Sequence, residues 1–296
     1  MNHPVAHTLT GNFPIGLRLT GTLTERPLHE TAAWAIAERF GCVDIPAAQL
    51  AQVGQWSAAG IPVGTIDLFS NEWTGMLSAN AGTRKATVVA AEKFIRAAAA
   101  AGAKIIFGVM LAEDVNLPRK ETFGYMVESY GQLRDVLAET GLRLAIEGWP
   151  GCNAHCCNPE SYRAFFKEMN SPHFGINFDP SHLLRMGIDP LRFIKEFAPQ
   201  VVHLHGKDTH IDRDRLYEIG HEQGAVFAEN FAWGGATWRY TIPGNGRASW
   251  TELLAEMVAV NYAGYISIEL EDVDYNGTLE GEQRGFVAAR KFLQSS

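Results

Sequence analysis

The chain has 296 residues, of which 46% are hydrophobic and 20% charged, and its formal net charge is -8 at pH 7. This composition is typical of a soluble globular protein, and the acidic balance argues against a protein that binds nucleic-acid phosphates through a basic face. No apolar run approaches the roughly 18 residues of a membrane span, so we expect no membrane partner. The first residues lack the pattern of a signal peptide, and four cysteines are too few for a disulfide framework. We therefore expect a cytoplasmic protein.

Eight short runs rich in β-branched residues are predicted to be strands, at 15–21, 42–46, 62–69, 104–111, 143–149, 174–179, 201–207 and 265–271. Amphipathic or alanine-rich segments lie between them, and several end at glycine or run into proline, as helices often do. This alternation predicts parallel strands joined by right-handed crossovers. Eight such units in about 250 residues or more match an α/β fold of the (β/α)8 TIM barrel type, with a doubly wound open sheet as the alternative. We predict one barrel domain over residues 1–296.

The segment between the last two predicted strands is unusually long. Residues 208–250 are rich in glycine, charge and aromatic side chains, which argues against a disordered insertion. A loop after strand 7 of a barrel emerges on the face that carries the active site. We therefore predict that residues 209–248 cover the barrel mouth and bring at least one of Trp233, Trp238 and Arg239 to the pocket.

The last four predicted strands end in polar residues. Residues two apart share a face of a strand. The shared faces carry Ala145, Glu147 and Trp149; Asn177 and Asp179; His203, His205 and Lys207; and Ser267, Glu269 and Glu271. Because a buried charge without a partner is very costly, four such strands in succession require a common explanation.

A divalent cation supplies that explanation. The predicted ligands are Glu147, Asp179, His205 and Glu269. Three carboxylates and one imidazole form an oxygen-rich site that suits one Mn²⁺ or Mg²⁺ ion, with Co²⁺ or Zn²⁺ as alternatives. Any one of these acids alone is better explained as a helix cap or a surface residue, so the prediction depends on all four together.

Five motifs follow one another in the second half of the chain: IEGWPG, NFDPSH, HLHGKD, IPGNGRASW and GYISIELED. With them, residues 143–271 resemble the sugar isomerase/epimerase group of the xylose isomerase-like TIM barrels. That group includes ketose 3-epimerases, hydroxypyruvate isomerases and inosose dehydratases. Before residue 143 the resemblance is only architectural.

The resemblance implies roles for individual residues. The metal would be held by the four ligands predicted above, and Glu147 and Glu269 would pass a proton at a substrate carbon. His182 of the DPSH sequence would contact a substrate oxygen, and Arg239 resembles the arginine that holds a substrate hydroxyl in the epimerases.

The chemistry of such a site is consistent with this resemblance. Removing a proton α to a carbonyl leaves an enediolate, whose charge a metal stabilises while a carboxylate serves as base. The sequence thus predicts a metal-dependent isomerase or epimerase of a sugar or keto-sugar, which could form a homo-oligomer. The expected substrate-binding residues are His182, Lys207, Arg239, Trp149 and Trp233.

The main alternative is a metal-dependent lyase that dehydrates or hydrates a keto-sugar or keto-glycoside by β-elimination. It shares the first proton abstraction but needs an acid for the leaving group, and His155 would suit that role. An abasic-site nuclease is disfavoured by the acidic balance and by the lack of further ligands for a three-zinc cluster. A non-catalytic metal-binding or sugar-sensing module ranks last.

The loop after predicted strand five raises the separate hypothesis of a zinc knuckle. It contains Cys152, His155, Cys156 and Cys157. Their spacing does not follow the paired C-x2-C pattern, and there is no second cysteine pair. We therefore predict that they are loop or pocket-wall residues.

Two residues of predicted strand seven allow more than one interpretation. His203 shares a face with His205 but lies one layer deeper, which favours a hydrogen-bonded core histidine over a ligand. Lys207 could neutralise the negative charge of the metal site or contact a substrate oxygen.

Overall fold

The computed structural model of the chain describes residues 3–68 and 73–296. The strands are β1 (Ile15–Arg18), β2 (Val43–Ile45), β3 (Val63–Asp67), β4 (Ile105–Val109), β5 (Arg143–Glu147), β6 (Phe174–Phe178), β7 (Val201–Gly206), β8 (Asp208–Ile211), β9 (Trp238–Thr241) and β10 (Ile266–Ile268). The α-helices are α1 (Gly21–Thr24), α2 (Leu28–Ala37), α3 (Val53–Ala58), α4 (Ala81–Ala101), α5 (Arg119–Gln132), α6 (Arg134–Thr140), α7 (Pro159–Met169), α8 (Pro180–Arg185), α9 (Pro190–Phe197), α10 (Arg213–Ile219), α11 (Trp250–Ala259) and α12 (Leu279–Leu293). Short 3-10 helices lie at Ala47–Gln52, Trp73–Leu77 and Ala198–Gln200.

Eight of the strands form a closed parallel barrel, in the order β1-β10-β7-β6-β5-β4-β3-β2. The predicted TIM barrel and the positions of its eight strands are thereby confirmed, although each of these strands is shorter than expected. The last residue of the predicted strand 62–69, Phe69, lies outside the described residues. The barrel strands are almost entirely buried, as expected for parallel strands covered on both faces.

The chain divides into two compact units. The first comprises Met1–Cys42, Asp179–Ala198 and His205–Ser296, and the second comprises Val43–Phe178 and Pro199–Leu204. The second unit therefore contains β2 to β6 and the first part of β7. The first unit contains β1, β10 and the hairpin formed by β8 and β9.

In the second unit, the strand register aligns polar residues near the carboxyl ends. Glu147 of β5 pairs with Val109 of β4 on one side and with Asn177 of β6 on the other. The helices around these strands have clear local signals. In α4, the side chain of Asn80 accepts hydrogen bonds from the first turn, and Gly102 ends the helix with a φ of 98°.

In the first unit, the long segment after β7 is more ordered than a simple loop. It contains the antiparallel strands β8 and β9 and the helix α10. Its two ends are joined by Asp208, whose carboxylate accepts hydrogen bonds from the backbone of Arg247 and Ala248 and from the indole of Trp250. A side chain at Gly246 would collide with this carboxylate, which explains the glycine there.

Between the two ends of this segment, the chain is largely exposed. From His210 to Arg239 no residue of this fully described stretch is buried, whereas Asp208 and Thr209 before it and residues 240–243 after it are buried. The stretch therefore contributes little to the packed core, and the segment reaches the interior only near its two ends. Among residues 3–68 and 73–296, no helix has both the length and the apolar character needed to cross a membrane.

Candidate active site at the strand ends

Three predicted metal ligands of the first unit lie together. Asp179 directly follows β6, His205 lies near the end of β7, and Glu269 directly follows β10. Each is buried and offers a ligand atom, and these atoms lie within 4.8 Å of one another. The carboxyl ends of three strands thus bring two carboxylates and an imidazole to one place.

The carboxylate of Asp179 has two roles. Its Oδ1 accepts a hydrogen bond of 2.8 Å from the backbone N–H of Ser181 and so caps α8, which begins with Pro180. Its Oδ2 lies 3.2 Å from Nζ of Lys207 and 3.4 Å from Nε2 of His182. One oxygen therefore holds the helix while the other belongs to the polar cluster.

The buried ammonium of Lys207 lies at the centre of this cluster. Its Nζ donates to Glu269 at 2.6 Å and to Glu271 at 3.0 Å, in addition to its contact with Asp179. It also lies 4.5 Å from the ring centroid of Tyr240. This arrangement corresponds to the first of the two roles considered for Lys207, the neutralisation of a group of acids.

Two glutamates beside Lys207 differ in their protonation behaviour. Burial alone would raise the pKa of Glu269, but Lys207, His205 and Arg18 hold the pKa of this carboxyl well below its usual range. Burial raises the pKa of Glu271, and the attraction of Lys207 does not fully offset it. Glu269 is therefore a carboxylate at neutral pH, as a metal ligand or a proton acceptor must be.

Arg18 is a member of the site that the sequence analysis missed. It ends β1, and its Nε lies 3.2 Å from Oε1 of Glu269. The available signal was the arginine inside an otherwise apolar strand, IGLRLTG, since a charge there requires a partner.

His182 lies on α8 and is buried beside the cluster. Its Nδ1 forms a hydrogen bond of 2.8 Å with the hydroxyl of Tyr240, which also accepts from Arg185 at 2.7 Å. The sequence analysis did not single out Tyr240 or Arg185. The structure brings them to His182 because the return strand β9 lies against α8.

Arg239 of β9 is held by two aspartates. Its guanidinium donates to Asp272 at 2.9 Å and to Asp274 at 2.8 Å. Asp272 also accepts from the hydroxyl of Thr241 at 2.6 Å, so the residues on either side of Tyr240 share one anchor. Trp233, predicted to bind substrate, is 48% exposed and lies in the exposed part of the segment.

In the second unit, Glu147 ends β5 and is buried. Asn177 of β6 donates a hydrogen bond of 3.0 Å from Nδ2 to its Oε1. Trp149, which was predicted to share the strand face of Glu147, lies beyond the end of β5. Its side chain is 38% exposed and covers Gly151.

His203 has the core environment that the sequence favoured. Its Nε2 forms a hydrogen bond of 2.8 Å with Asp44, and both side chains are fully buried. The second oxygen of Asp44 accepts from the backbone N–H of Thr65 at 2.8 Å.

The cysteine-rich loop after β5 has no sign of a metal knuckle. In the part of the chain that the structure describes, its three cysteines form no disulfide and belong to none of the groups that could hold a metal. His155 is buried, and its Nε2 forms a hydrogen bond of 2.8 Å with Thr122. Burial, with a smaller effect of Arg119, lowers the pKa of His155 to about 4. His155 is therefore uncharged at neutral pH, which argues against the suggested role of leaving-group acid.

The donor set at the strand ends fits a divalent cation. Asp179, His205 and Glu269 combine hard oxygens with an imidazole, which Mn²⁺, Co²⁺ and Zn²⁺ all accept. Their burial also fits, since without a positive charge the two carboxylates would be costly to hold in the interior.

A family model described as xylose isomerase-like TIM barrel matches residues 43–296. The chain belongs to this family. Among curated members, it is 33% identical over 122 residues to the uncharacterized protein YfiH of Bacillus subtilis (strain 168), covering 39% of this chain and 36% of that protein. It is 28% identical over 117 residues to an inosose dehydratase of Bacillus anthracis, covering 40% of this chain and 36% of that enzyme. The similarity thus spans little more than a third of the length of these xylose isomerase-like relatives.

Solved structures of the same fold cover nearly the whole chain. D-psicose 3-epimerase superposes with a TM-score of 0.70 at 15% identity, covering 94% of this chain and 97% of that one. The 3-keto-D-glucoside 4-epimerase YcjR of E. coli gives 0.66 at 16% identity, with 94% and 98% covered. The IOLI protein with a bound zinc atom gives 0.65 at 14% identity, with 94% of each chain covered. At these identities, the similarity shows the shared xylose isomerase-like fold alone.

Proposed function

We propose that the protein is a divalent-metal-dependent isomerase or epimerase that acts on a sugar or keto-sugar by abstracting a proton α to a carbonyl. The observation that carries this proposal is the buried group of Asp179, His205 and Glu269 at the carboxyl ends of barrel strands. In a TIM barrel those ends form the catalytic face. Family membership supports an enzyme that modifies small sugars.

The proposed metal site has four ligands, with Glu147 joining the three residues above. Glu147 ends its strand as the other ligands do, and the amide of Asn177 fixes its carboxylate. When bound, the metal supplies a Lewis acid for the carbonyl oxygen at which negative charge develops. Mn²⁺ is the first choice because the set is rich in carboxylates, and the neighbour with bound zinc supports zinc as an alternative.

Two glutamates are the proposed proton-transfer groups. Glu269 is held ionised by Lys207, so it can accept a proton from carbon, and Glu147 would return a proton to the intermediate. If they face opposite sides of the substrate carbon, its configuration changes. If they work on the same face, the hydrogen moves to the neighbouring carbon and an isomer forms.

The remaining residues would bind the substrate. The proposed contacts are His182, Lys207, Arg239, Trp149 and Trp233. Their hydrogen bonds and their burial support this role more strongly for some of them than for others. His182 and Lys207 are buried in the polar cluster, whereas the two tryptophans are partly exposed and would reach the substrate only from the rim.

The proposal is tested by proton exchange. The protein loaded with Mn²⁺ is incubated in D₂O with a panel of ketoses and keto-glycosides, and deuterium incorporation is followed by NMR. Because abstraction at carbon exchanges the proton with solvent, exchange reports the first step even without net turnover. We expect exchange with at least one substrate, its loss after EDTA treatment and its return with Mn²⁺. Exchange that is indifferent to chelation would contradict the metal-dependent mechanism.

A second candidate function is a dehydratase that eliminates water from a keto-sugar or keto-polyol. It is favoured by the similarity to proteins named inosose dehydratase. It would use the same first proton abstraction, and because burial lowers the pKa of His155 to about 4, we expect another group to protonate the leaving hydroxyl. Mass spectrometry of the product separates the two functions, because isomerisation conserves mass whereas dehydration removes one water.

A further inference from the structure

The hydroxyl of Tyr240 joins a helix of the site to the return strand of the long segment. Its oxygen lies 2.7 Å from Nη1 of Arg185 and 2.8 Å from Nδ1 of His182. Within residues 3–68 and 73–296 these are its two hydrogen bonds, and the ring is 4% exposed. The hydroxyl therefore has defined neighbours and little access to water.

The direction of these two hydrogen bonds follows from their chemistry. A guanidinium only donates, so the Tyr240 oxygen accepts the bond from Arg185. Burial raises the pKa of Tyr240, although the nearby charges of Lys207 and Arg185 oppose this, so the phenol keeps its proton at neutral pH. That proton needs an acceptor, and Nδ1 of His182 lies in reach.

If Nδ1 accepts this hydrogen bond, the neutral imidazole of His182 carries its proton on Nε2. That nitrogen faces the polar cluster, since it lies 3.4 Å from Oδ2 of Asp179. The ring then presents an N–H donor at the predicted metal site and not a lone pair.

We propose that Tyr240 is a positioning residue that holds His182 as the Nε2–H tautomer and thereby makes it a hydrogen-bond donor for a substrate oxygen. The contact with substrate rests on the proposed function, whereas the tautomer is a property of the protein alone. Arg185 acts on His182 through Tyr240. Because the Tyr240 oxygen accepts the hydrogen bond from Arg185, its O–H can donate to the His182 ring.

The structure also explains how Tyr240 is kept in place. Arg239 and Thr241, on either side of it in β9, both bond to Asp272, so the opposite face of the strand is anchored. On its own face, the ring covers the ammonium of Lys207 at 4.5 Å. Tyr240 is therefore fixed from both sides.

The tautomer is measured by long-range ¹H–¹⁵N correlation NMR on the full chain labelled with ¹⁵N-histidine, at a pH where the imidazoles are neutral. The resonances of His182 are assigned by their absence in His182→Gln. We expect the Nε2–H pattern for His182 in the wild type and a mixture of tautomers, or the Nδ1–H form, in Tyr240→Phe. An Nδ1–H pattern in the wild type, or an unchanged pattern in Tyr240→Phe, would overturn the proposal.

Two further variants make the result specific. Tyr262→Phe also removes a phenol hydroxyl, one that donates to the carbonyl of Tyr265 at 2.7 Å, and it should leave the His182 pattern unchanged. Arg185→Met should change the tautomer of His182 in the same direction as Tyr240→Phe does. Without Arg185, the Tyr240 oxygen is free to accept a hydrogen bond from Nδ1–H of the His182 ring. A shift in Tyr262→Phe equal to that in Tyr240→Phe would point to a general packing effect and count against the proposal.

The role toward substrate is measured on any compound that shows the deuterium exchange described above. Loss of one oriented hydrogen bond should lower kcat/KM of Tyr240→Phe about tenfold at unchanged Mn²⁺ occupancy. A changed tautomer with unchanged kcat/KM would overturn the substrate contact. Absence of exchange in the wild type would contradict the proposed function, whereas the tautomer result stands or falls on the NMR pattern.

Discussion

Two histidines of β7 lie two residues apart and have different surroundings. His203 bonds to Asp44, and the other oxygen of Asp44 bonds to the backbone of Thr65, so both oxygens of this carboxylate have partners within one unit. His205 instead lies 3.2 Å from Glu269, in a group that also includes Asp179 and Lys207. His203 thus contacts one carboxylate, whose two oxygens both have hydrogen-bond partners. His205 belongs to a group that contains more than one carboxylate.

The difference teaches how to separate structural from functional histidines. A buried histidine paired with one carboxylate can remain in the interior without a further charged group. A buried histidine beside several carboxylates is part of a site whose balance depends on a cation. Lys207 and Arg18 each supply one positive charge, and we propose that a divalent metal supplies the rest.

The largest expected effect concerns the glutamates of the proposed metal site. Glu147→Gln and Glu269→Gln should each lose about 10²–10⁴-fold in turnover at saturating Mn²⁺, because an amide still offers an oxygen ligand but accepts no proton near neutral pH. Turnover is measured together with metal occupancy. Glu271→Gln is the matched control, since Glu271 also bonds to Lys207 but is not a proposed ligand. Its turnover should fall by less than that of the two ligand variants. Near wild-type rates in both ligand variants would refute the two-glutamate mechanism.

The next effect is on the free energy of unfolding and concerns the buried pair of Asp44 and His203. Asp44→Ala leaves the ring of His203 and the N–H of Thr65 without this acceptor, which should lower the free energy of unfolding by about 3 kcal/mol. Urea denaturation measures the change, and Mn²⁺ affinity should stay near that of the wild type. Asp44→Asn keeps an oxygen that can accept from the N–H of Thr65, so its free energy of unfolding should fall by less than that of Asp44→Ala. If Mn²⁺ affinity fell markedly in both variants, the distinction between the two histidines would be wrong.

His205→Asn tests the other side of the comparison. Loss of an imidazole ligand should weaken Mn²⁺ binding by at least about tenfold, since even partners outside the ligand shell are worth that much. Activity should recover when Mn²⁺ is added in excess, because the proposed role of His205 is ligation alone. His210→Asn, at an exposed histidine of β8, is the control and should bind Mn²⁺ as the wild type does. Affinity retained in His205→Asn would remove it from the ligand set.

A third histidine, His155, gives an effect that is absent at neutral pH. Its pKa is lowered from 6.5 to about 4 in the folded protein, so below pH 6.5 the unfolded chain binds a proton that the folded chain does not. Stability should therefore fall as the pH drops from 6.5 toward 4, by roughly 3 kcal/mol at the end of this range. In His155→Asn, this contribution to the dependence of the free energy of unfolding on pH should disappear.

Urea denaturation at several pH values measures the contribution of His155. His29→Asn, at an exposed position on α2, serves as the control and should keep the slope of the wild type. A slope that persists unchanged in His155→Asn would mean that His155 is not the group held neutral by burial.

Local patterns in the sequence were sufficient for the barrel, and they supplied the residues that we propose as metal ligands. Strands alternate side chains with a period of two, so acids and histidines at strand ends could be assigned to one face without coordinates. Asp179, His205 and Glu269 were identified in this way. Trp149 lies two residues beyond the end of β5, where the alternation is not fixed by a strand, so its place on the face of Glu147 stays a prediction.

Only the tertiary structure decided which partners these residues have. Asp44 and His203 are 159 positions apart, Tyr240 is 58 positions from His182, and Lys207 is 62 positions from Glu269. A hydrogen bond or an ion pair depends on distance and direction in space, and neither is encoded by the residues beside it in the chain. The sequence determined which side chains point from the strand ends, and closure of the barrel and the return of β9 determined what each of them contacts.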